Sequence, residues 1–161
     1  NDYFGVAVSL IESNGGNVLK FMGDGLLAIF GQDDLQFGTQ SALKSATEIR
    51  NRVRRHNVTR KADGLPFTDF TLALHLGEVF YGNIGSETRL DFTVIGPAVN
   101  LTARISGMHK SVGRRIIVSD AVAQAIETKD YDLVSLGRYM LRGVSKPLEL
   151  FTIYDLENSK L

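Results

Sequence analysis

Helix-like and strand-like hydrophobic patterns alternate along this chain, and their order limits the folds open to it. Apolar residues three and four apart predict a helix over residues 3–12 that ends at Gly15-Gly16. Apolar runs at 17–22 and 26–30, separated by Gly-Asp-Gly, predict a hairpin. Further helices are predicted for 40–56, from Pro97 and for 120–127, and further strands for 70–76, 78–84, 90–95, 115–118, 132–141 and 148–155.

This mixture predicts an α+β fold in which helices cover an antiparallel sheet. If a strand precedes residue 1, the core takes the ferredoxin-like split βαβ layout. The sequence opens at Asn1-Asp2-Tyr3-Phe4, without Met and with a helical pattern already under way. We therefore expect that the N-terminal strand of the domain is missing from this sequence. Such a sheet places its hairpin turns along one edge, and we expect metal and phosphate chemistry there.

Length and composition indicate one globular domain over residues 1–161. Apolar residues make up 43% and charged residues 22%, and eighteen basic residues balance eighteen acidic ones. No overall positive field favours nucleic acid or a membrane surface as a partner. The absence of cysteine excludes disulfides, thiolate metal sites and cysteine nucleophiles. No apolar run is long enough to span a bilayer, and the expected location is the cytoplasm.

The hairpin turn carries the first candidate site residue. Asp24 lies between Gly23 and Gly25, which permit positive φ and leave the carboxylate open to a hard cation. The same dipeptide is also a common hairpin turn in proteins without metal. Lys20 lies four residues earlier in the predicted strand, where burial without a partner would be costly, and an edge lysine that reaches solvent is the simpler interpretation.

A second candidate pair follows Pro97. Asn100 and Arg104 are one turn apart, so they share a face of the predicted helix. The guanidinium fork suits phosphate oxygens, and an amide both donates and accepts, which is a pairing suited to phosphoryl transfer. A solvent-facing polar stripe on the helix is the alternative.

Four segments carry a resemblance to a known family. The segment LKFMGDGLLAIF, followed far downstream by RLDFTVIGPAVNLTARI, closely resembles the two most diagnostic blocks of class III adenylate and guanylate cyclases. LHLGEVFYGNIGS and LVSLGRYMLRGVSKPLELFTIYDL also resemble cyclase sequence and stand in the family's order. The resemblance covers nearly the whole chain, and the chain is identified as a member of this family.

The resemblance implies a reaction assisted by two divalent ions, Mg²⁺ or Mn²⁺, held by two aspartates. Asp24 matches the second aspartate. The first belongs to an opening strand with a segment like Phe-x-Asp-Ile/Met-x-Gly-Phe, which this sequence lacks. Asp33 and Asp34 follow the hairpin instead of pairing with it across the sheet, so neither is taken as a substitute for the first aspartate. Two alternatives follow: an acidic strand precedes residue 1, or the domain has lost a metal ligand.

The resemblance also assigns roles toward ATP. Asn100 matches the asparagine that orients the ribose, and Arg104 matches the arginine that stabilises charge on the α-phosphate. Arg142 falls where the family often has a triphosphate-binding lysine, and Arg89 is a weaker phosphate candidate.

Base choice follows from two further matches. Lys20 matches the purine-selecting lysine, and Thr93 matches the second selector, which is threonine in many bacterial adenylate cyclases. Lysine can donate to adenine N1 while the threonine hydroxyl accepts from the 6-amino group. Guanylate cyclases generally have an acidic residue at the lysine position, so the pair favours ATP.

The family's dimer implies shared sites. The metal carboxylates come from one subunit, and the base selectors, the asparagine and the arginine come from the other. This chain carries both sets apart from the first aspartate, which predicts a homodimer with two equivalent sites. Residues 80–88 resemble the arm that reaches the partner, and a regulatory domain is expected elsewhere in the full chain.

The expected activity is conversion of ATP to 3′,5′-cyclic AMP and pyrophosphate. A catalytically inactive cyclase-homology module, used for dimerisation or nucleotide sensing, is an alternative supported by the missing aspartate. Guanylate cyclase is disfavoured by Lys20, and a diguanylate cyclase is disfavoured by the lack of its GG-acidic-acidic-F signature.

Overall fold

The computed structural model describes residues 2–31, 34–84, 91–126 and 131–154, and the chain divides into two compact units, Asn1–Phe70 and Thr71–Leu161. In the described part the helices are α1 (Asp2–Ser13), α2 (Leu35–Ala62), α3 (Pro97–Ser106), α4 (His109–Val112) and α5 (Asp120–Ala125). The strands are β1 (Asn17–Met22), β2 (Gly25–Ile29), β3 (Leu72–Leu74), β4 (Phe80–Ile84), β5 (Asp91–Ile95), β6 (Ile116–Ser119), β7 (Asp132–Tyr139) and β8 (Leu148–Tyr154). The predicted α+β class is confirmed.

The first unit packs α1 and α2 together beside the β1–β2 hairpin. Its buried side chains come from one stripe of each helix and include Ala7, Ile11, Leu43, Ile49 and Val53. Helix α2 begins before and ends after the predicted 40–56. The Asp34 carboxylate caps its N-terminus by accepting a hydrogen bond from the Phe37 amide at 3.0 Å. The prediction from the hydrophobic pattern missed this first turn because Leu35 and Phe37 are apolar but exposed, so they do not belong to the stripe that faces the core.

Two glycines, Gly31 and Gly38, let the backbone of α2 come close to the backbone that follows β2. A Cβ on Gly38 would overlap the backbone of Gly31 and would lie 3.1 Å from the Phe30 carbonyl carbon. Only a residue without a Cβ permits this backbone approach.

We expect Gly38→Ala to lower the free energy of unfolding by about 1–3 kcal/mol or more, because backbone has to move to make room for the methyl group. Gly5→Ala is the matched control, since Gly5 is helical, exposed and has nothing within 4 Å of an added Cβ. That change should raise stability by about 0.5–1 kcal/mol. Urea denaturation of both variants measures the difference, and a Gly38→Ala protein as stable as wild type would refute the close contact.

The second unit contains a four-stranded sheet in the order β3-β6-β8-β7 and a separate β4–β5 hairpin. The β6–β8 and β7–β8 pairs are antiparallel as expected, whereas β3 pairs with β6 in parallel. The parallel pair arises because the chain passes through β4, β5, α3 and α4 before it returns as β6.

The core of this unit joins α3 to the sheet. Four buried residues form one cluster: Ile105, Ile117, Leu141 and Leu150. Ile105 comes from α3 and Leu141 follows β7, so the cluster fixes the helix against the turn between β7 and β8. Among the described residues, no helix combines the length and apolar character needed to cross a bilayer.

Candidate active site

The β1–β2 turn exposes the predicted metal ligand. Gly23 and Asp24 form a two-residue loop, closed by the Met22–Gly25 pair, and Gly23 has a φ of 56°. Asp24 keeps a negative φ, so only the first loop residue needs the left-handed region, as in a type II′ turn. The Asp24 side chain is exposed, which leaves both carboxylate oxygens accessible.

Lys20 lies on β1 of the same hairpin, opposite Leu27. The pairing register shifts between Val18 and Lys20, and the Lys20 side chain is exposed. Its ammonium group therefore reaches solvent, so this geometry agrees with the edge-lysine interpretation and also leaves the group available to a ligand.

Helix α3 presents the other pair on one exposed face. Gly96 precedes the helix with a φ of 139°, and Pro97 occupies the first turn, where a missing N–H costs nothing. Asn100 and Arg104 are both exposed, while the next residue, Ile105, is fully buried. The helix is thus anchored by its apolar face and directs an amide and a guanidinium to solvent.

The β7–β8 turn brings a further basic residue to this face. Gly143 has a φ of 87°, and a Cβ placed on it would lie 3.7 Å from Nε and 3.9 Å from Cζ of Arg104. The Arg104 guanidinium therefore packs against the turn that carries the exposed Arg142. The two arginines, far apart in sequence, are brought to one end of α3.

The structure describes the other predicted site residues only in part. Thr93 lies in β5 and pairs with Gly82 of β4, but its side chain falls outside the described part. Arg89 and residues 85–88 of the predicted arm also lie outside the described residues. Phe80, at the start of the arm, is exposed. Lys20 and Asp24 belong to the first unit, and Thr93 with the α3 pair and Arg142 belongs to the second.

A profile of the adenylate and guanylate cyclase catalytic domain matches residues 1–155. The chain belongs to this cyclase family. An adenylate cyclase of Anabaena cylindrica is 32% identical over 161 residues, which is 98% of this chain and 31% of that protein. Adenylate cyclase 1 of Rhizobium meliloti is 26% identical over 158 residues, or 95% of this chain and 23% of that protein. The chain thus spans at most about a third of these two cyclases.

Solved cyclase structures share the fold. The adenylyl cyclase CyaB from P. aeruginosa matches with a TM-score of 0.80 at 23% identity, over 96% of this chain and 80% of that one. The guanylyl cyclase Cya2 matches with a TM-score of 0.73 at 29% identity, over 94% of this chain and 76% of that one. Relatives that make different cyclic nucleotides therefore have this same architecture.

The metal-ligating side chains in the described residues determine how well this cyclase chain can hold the expected divalent ions. The exposed Asp24 is a hard oxygen donor between glycines, so it suits one ligand position of Mg²⁺ or Mn²⁺. The described residues contain no group of three or more His, Cys, Asp or Glu side chains placed to hold an ion. Asp34, which follows the hairpin, caps α2 and is thereby engaged structurally.

Sequence reasoning missed one partly buried polar pair. Nδ1 of His75, just after β3, lies 2.9 Å from the Ser119 hydroxyl at the end of β6. Burial lowers the pKa of His75, and the nearby Asp120 carboxylate opposes that shift only in part. A histidine near the end of a predicted strand was the available signal, but nothing in the sequence indicates that this strand pairs with the one that ends at Ser119.

Proposed function

We propose that this chain is the catalytic domain of an adenylate cyclase that converts ATP into 3′,5′-cyclic AMP and pyrophosphate. The observation that carries the proposal is the exposed face of α3, where Asn100 and Arg104 lie one turn apart and the Arg104 guanidinium packs against the turn of Arg142. Adenylate cyclase relatives that cover almost the whole chain support the same activity.

In this reaction the ribose 3′-oxygen attacks the α-phosphorus, the bond from that phosphorus to the bridging oxygen breaks, and pyrophosphate leaves. The 3′-hydroxyl proton passes to solvent or to a phosphate oxygen. Negative charge grows on the α-phosphate oxygens during the attack, so an exposed guanidinium fork at Arg104 stabilises the transition state more than the ground state. Asn100 orients the ribose hydroxyl, and Arg142 offers positive charge to the leaving pyrophosphate.

Asp24 would supply one carboxylate to a divalent ion, and bound ions of this kind lower the pKa of the 3′-hydroxyl and neutralise charge on the phosphates. The second carboxylate is proposed to come from a strand before residue 1. The turn itself contributes an open approach to Asp24, because neither neighbouring glycine has a side chain that blocks the oxygens.

Adenine is the proposed base. Lys20 is exposed on β1, so its ammonium group can donate to adenine N1, and Thr93 is proposed to accept from the 6-amino group. Guanine presents the reverse donor and acceptor pattern on that edge, which a lysine donor does not match. Lys20 and Thr93 therefore act as the proposed specificity pair.

The two compact units are proposed to be parts of one catalytic domain, since the cyclase profile runs through both. Two chains are proposed to form a homodimer with two shared sites. A cytoplasmic location and a regulatory domain elsewhere in the full-length protein complete the proposal.

The full-length protein is expected to form cyclic AMP and pyrophosphate from ATP with Mg²⁺ or Mn²⁺, and chromatography of the products checks this. GTP in parallel tests the base assignment, and cyclic GMP as the main product would replace it with guanylate cyclase activity, as in the Cya2 relative. Absence of both cyclic nucleotides under both metals, from folded dimeric protein, would identify a catalytically inactive module.

A further inference from the structure

The His75–Ser119 pair ties together three elements of the second unit. Ser119 is fully buried at the end of β6, and its hydroxyl accepts a hydrogen bond from the Val122 amide at 3.4 Å as the N-cap of α5. The same hydroxyl lies 2.9 Å from Nδ1 of His75. Because β3 and β6 are neighbouring parallel strands, this bond fixes the point at which the chain leaves the sheet after β3.

The chain leaving β3 packs directly on the start of α3. A Cβ on Gly77 would lie 2.8 Å from the Cβ of Ala98, in the first turn of the helix, and 3.3 Å from Nε2 of His75. Gly77 is exposed, but a methyl group on it would press against Ala98 of α3 and against the imidazole ring, so the segment fits this closely only without a side chain here.

A second close contact lies one residue further along the same segment. A Cβ on Gly96, which precedes α3, would lie 3.3 Å from the Glu78 carbonyl oxygen and 3.5 Å from Cδ2 of Phe80. Residues 75–80 thus pack against the N-terminal end of α3, while Ile105 holds the other end of the helix in the core cluster. These two supports together determine the direction in which the helix presents Asn100 and Arg104.

On the basis of the proposed cyclase function, we propose that His75 is a positioning residue: its hydrogen bond to Ser119 holds residues 75–80 against the first turn of α3 and so fixes Asn100 and Arg104 for catalysis. His75 acts through the segment and the helix and does not itself contact substrate. The pair belongs to the second unit, and the hairpin that carries Lys20 and Asp24 belongs to the first.

The surroundings of His75 favour its neutral ring. Burial lowers the pKa of His75, and Asp120, at the start of α5, raises it by a smaller amount. The Asp120 carboxylate also accepts a hydrogen bond from the Ala121 amide at 2.9 Å. Neither β6 nor the first three residues of α3 carries a charged side chain, and Glu78 in the same segment is exposed.

The sign of the pH effect follows from this depressed pKa. Below the unfolded value of about 6.5, the unfolded chain binds a proton at His75 more readily than the folded chain does. The contribution of neutral His75 to stability is therefore complete above pH 6.5 and is lost as pH falls through the lower folded pKa. Wild-type protein should lose more stability between pH 7.5 and 5 than a variant without this histidine.

Three variants distinguish the effect of the His75 hydrogen bond from the effect of side-chain volume at this position. His75→Asn keeps a polar atom near the Nδ1 position, His75→Gln places one nearer the Nε2 position, and His75→Ala removes both. We expect kcat to fall by about 10- to 100-fold in the Ala and Gln variants, with KM within about threefold, and His75→Asn to recover most of the loss. His109→Ala is the control, because His109 uses Nδ1 for a 2.9 Å bond to the exposed Arg114 carbonyl, and its kcat should stay within about twofold of wild type.

Hydrogen exchange gives a readout that does not depend on activity. The backbone amides of residues 99–104 should exchange faster in His75→Ala and His75→Gln than in wild type and His75→Asn, at a temperature where all four proteins are folded. Equal exchange in all four, or equal kcat for the Asn and Gln variants, would overturn the positioning role. Inactive wild-type protein with the expected exchange pattern would instead reject the cyclase proposal, while the exchange data would still support the hold of His75 on α3.

Discussion

Replacing Arg104 by alanine is expected to lower kcat for cyclic AMP formation by about 100- to 1,000-fold, with a smaller change in KM. The guanidinium is proposed to stabilise charge that develops on the α-phosphate, and loss of one such preorganised donor typically costs this much. Because Arg104 is exposed, its removal should change the free energy of unfolding by no more than about 0.5 kcal/mol. Steady-state kinetics and urea denaturation of the same preparation measure both quantities.

Two companion variants sharpen the result. Arg104→Lys keeps the charge but loses the planar fork, so its kcat should lie between those of wild type and Arg104→Ala. Arg114→Ala removes another exposed arginine of the same unit, whose Nη1 donates to the adjacent Gly113 carbonyl at 3.0 Å, and should leave kcat nearly unchanged. Equal activity of the Arg104→Ala and Arg114→Ala proteins would exclude Arg104 from the reaction.

Two inactive variants are expected to restore activity when mixed. Asp24→Ala removes the proposed metal carboxylate, and Arg104→Ala removes the guanidinium that the proposed dimer supplies from the opposite subunit. Each homodimer should be nearly inactive. In a mixed dimer, one of the two sites combines an intact Asp24 with an intact Arg104. With unbiased pairing half of the dimers are mixed, so the mixture should reach about a quarter of wild-type activity.

A double variant provides the matched control for this mixture. Wild type mixed equally with the Asp24→Ala, Arg104→Ala double variant forms mixed dimers in which neither shared site is complete, so about a quarter of the activity should remain. A site contained within one chain would instead leave about half, and would give no recovery in the first mixture. Recovery absent after subunit exchange has been demonstrated would refute the shared-site arrangement.

Local patterns in the sequence were sufficient for most of the elements. The hairpin around Asp24 and the helix from Pro97 are confirmed because turn and helix signals act over a few residues. The length of α2 was underestimated, since its first turn is held by a cap at Asp34 and exposes apolar side chains. The parallel β3–β6 pair was not expected, because pairing between strands distant in sequence leaves no local pattern.

The sequence by itself determined that Asn100 and Arg104 share a helix face and that Asp24 occupies an open turn, because helix periodicity and turn chemistry are set by neighbouring residues. Tertiary structure decided that Arg104 packs against the turn of Arg142 and that His75 meets Ser119. Both contacts join segments far apart in the chain. Their geometry depends on how Ile105, Leu141 and their neighbours fill one core, and close packing of that kind is a property of the assembled unit, which no local stretch of sequence encodes.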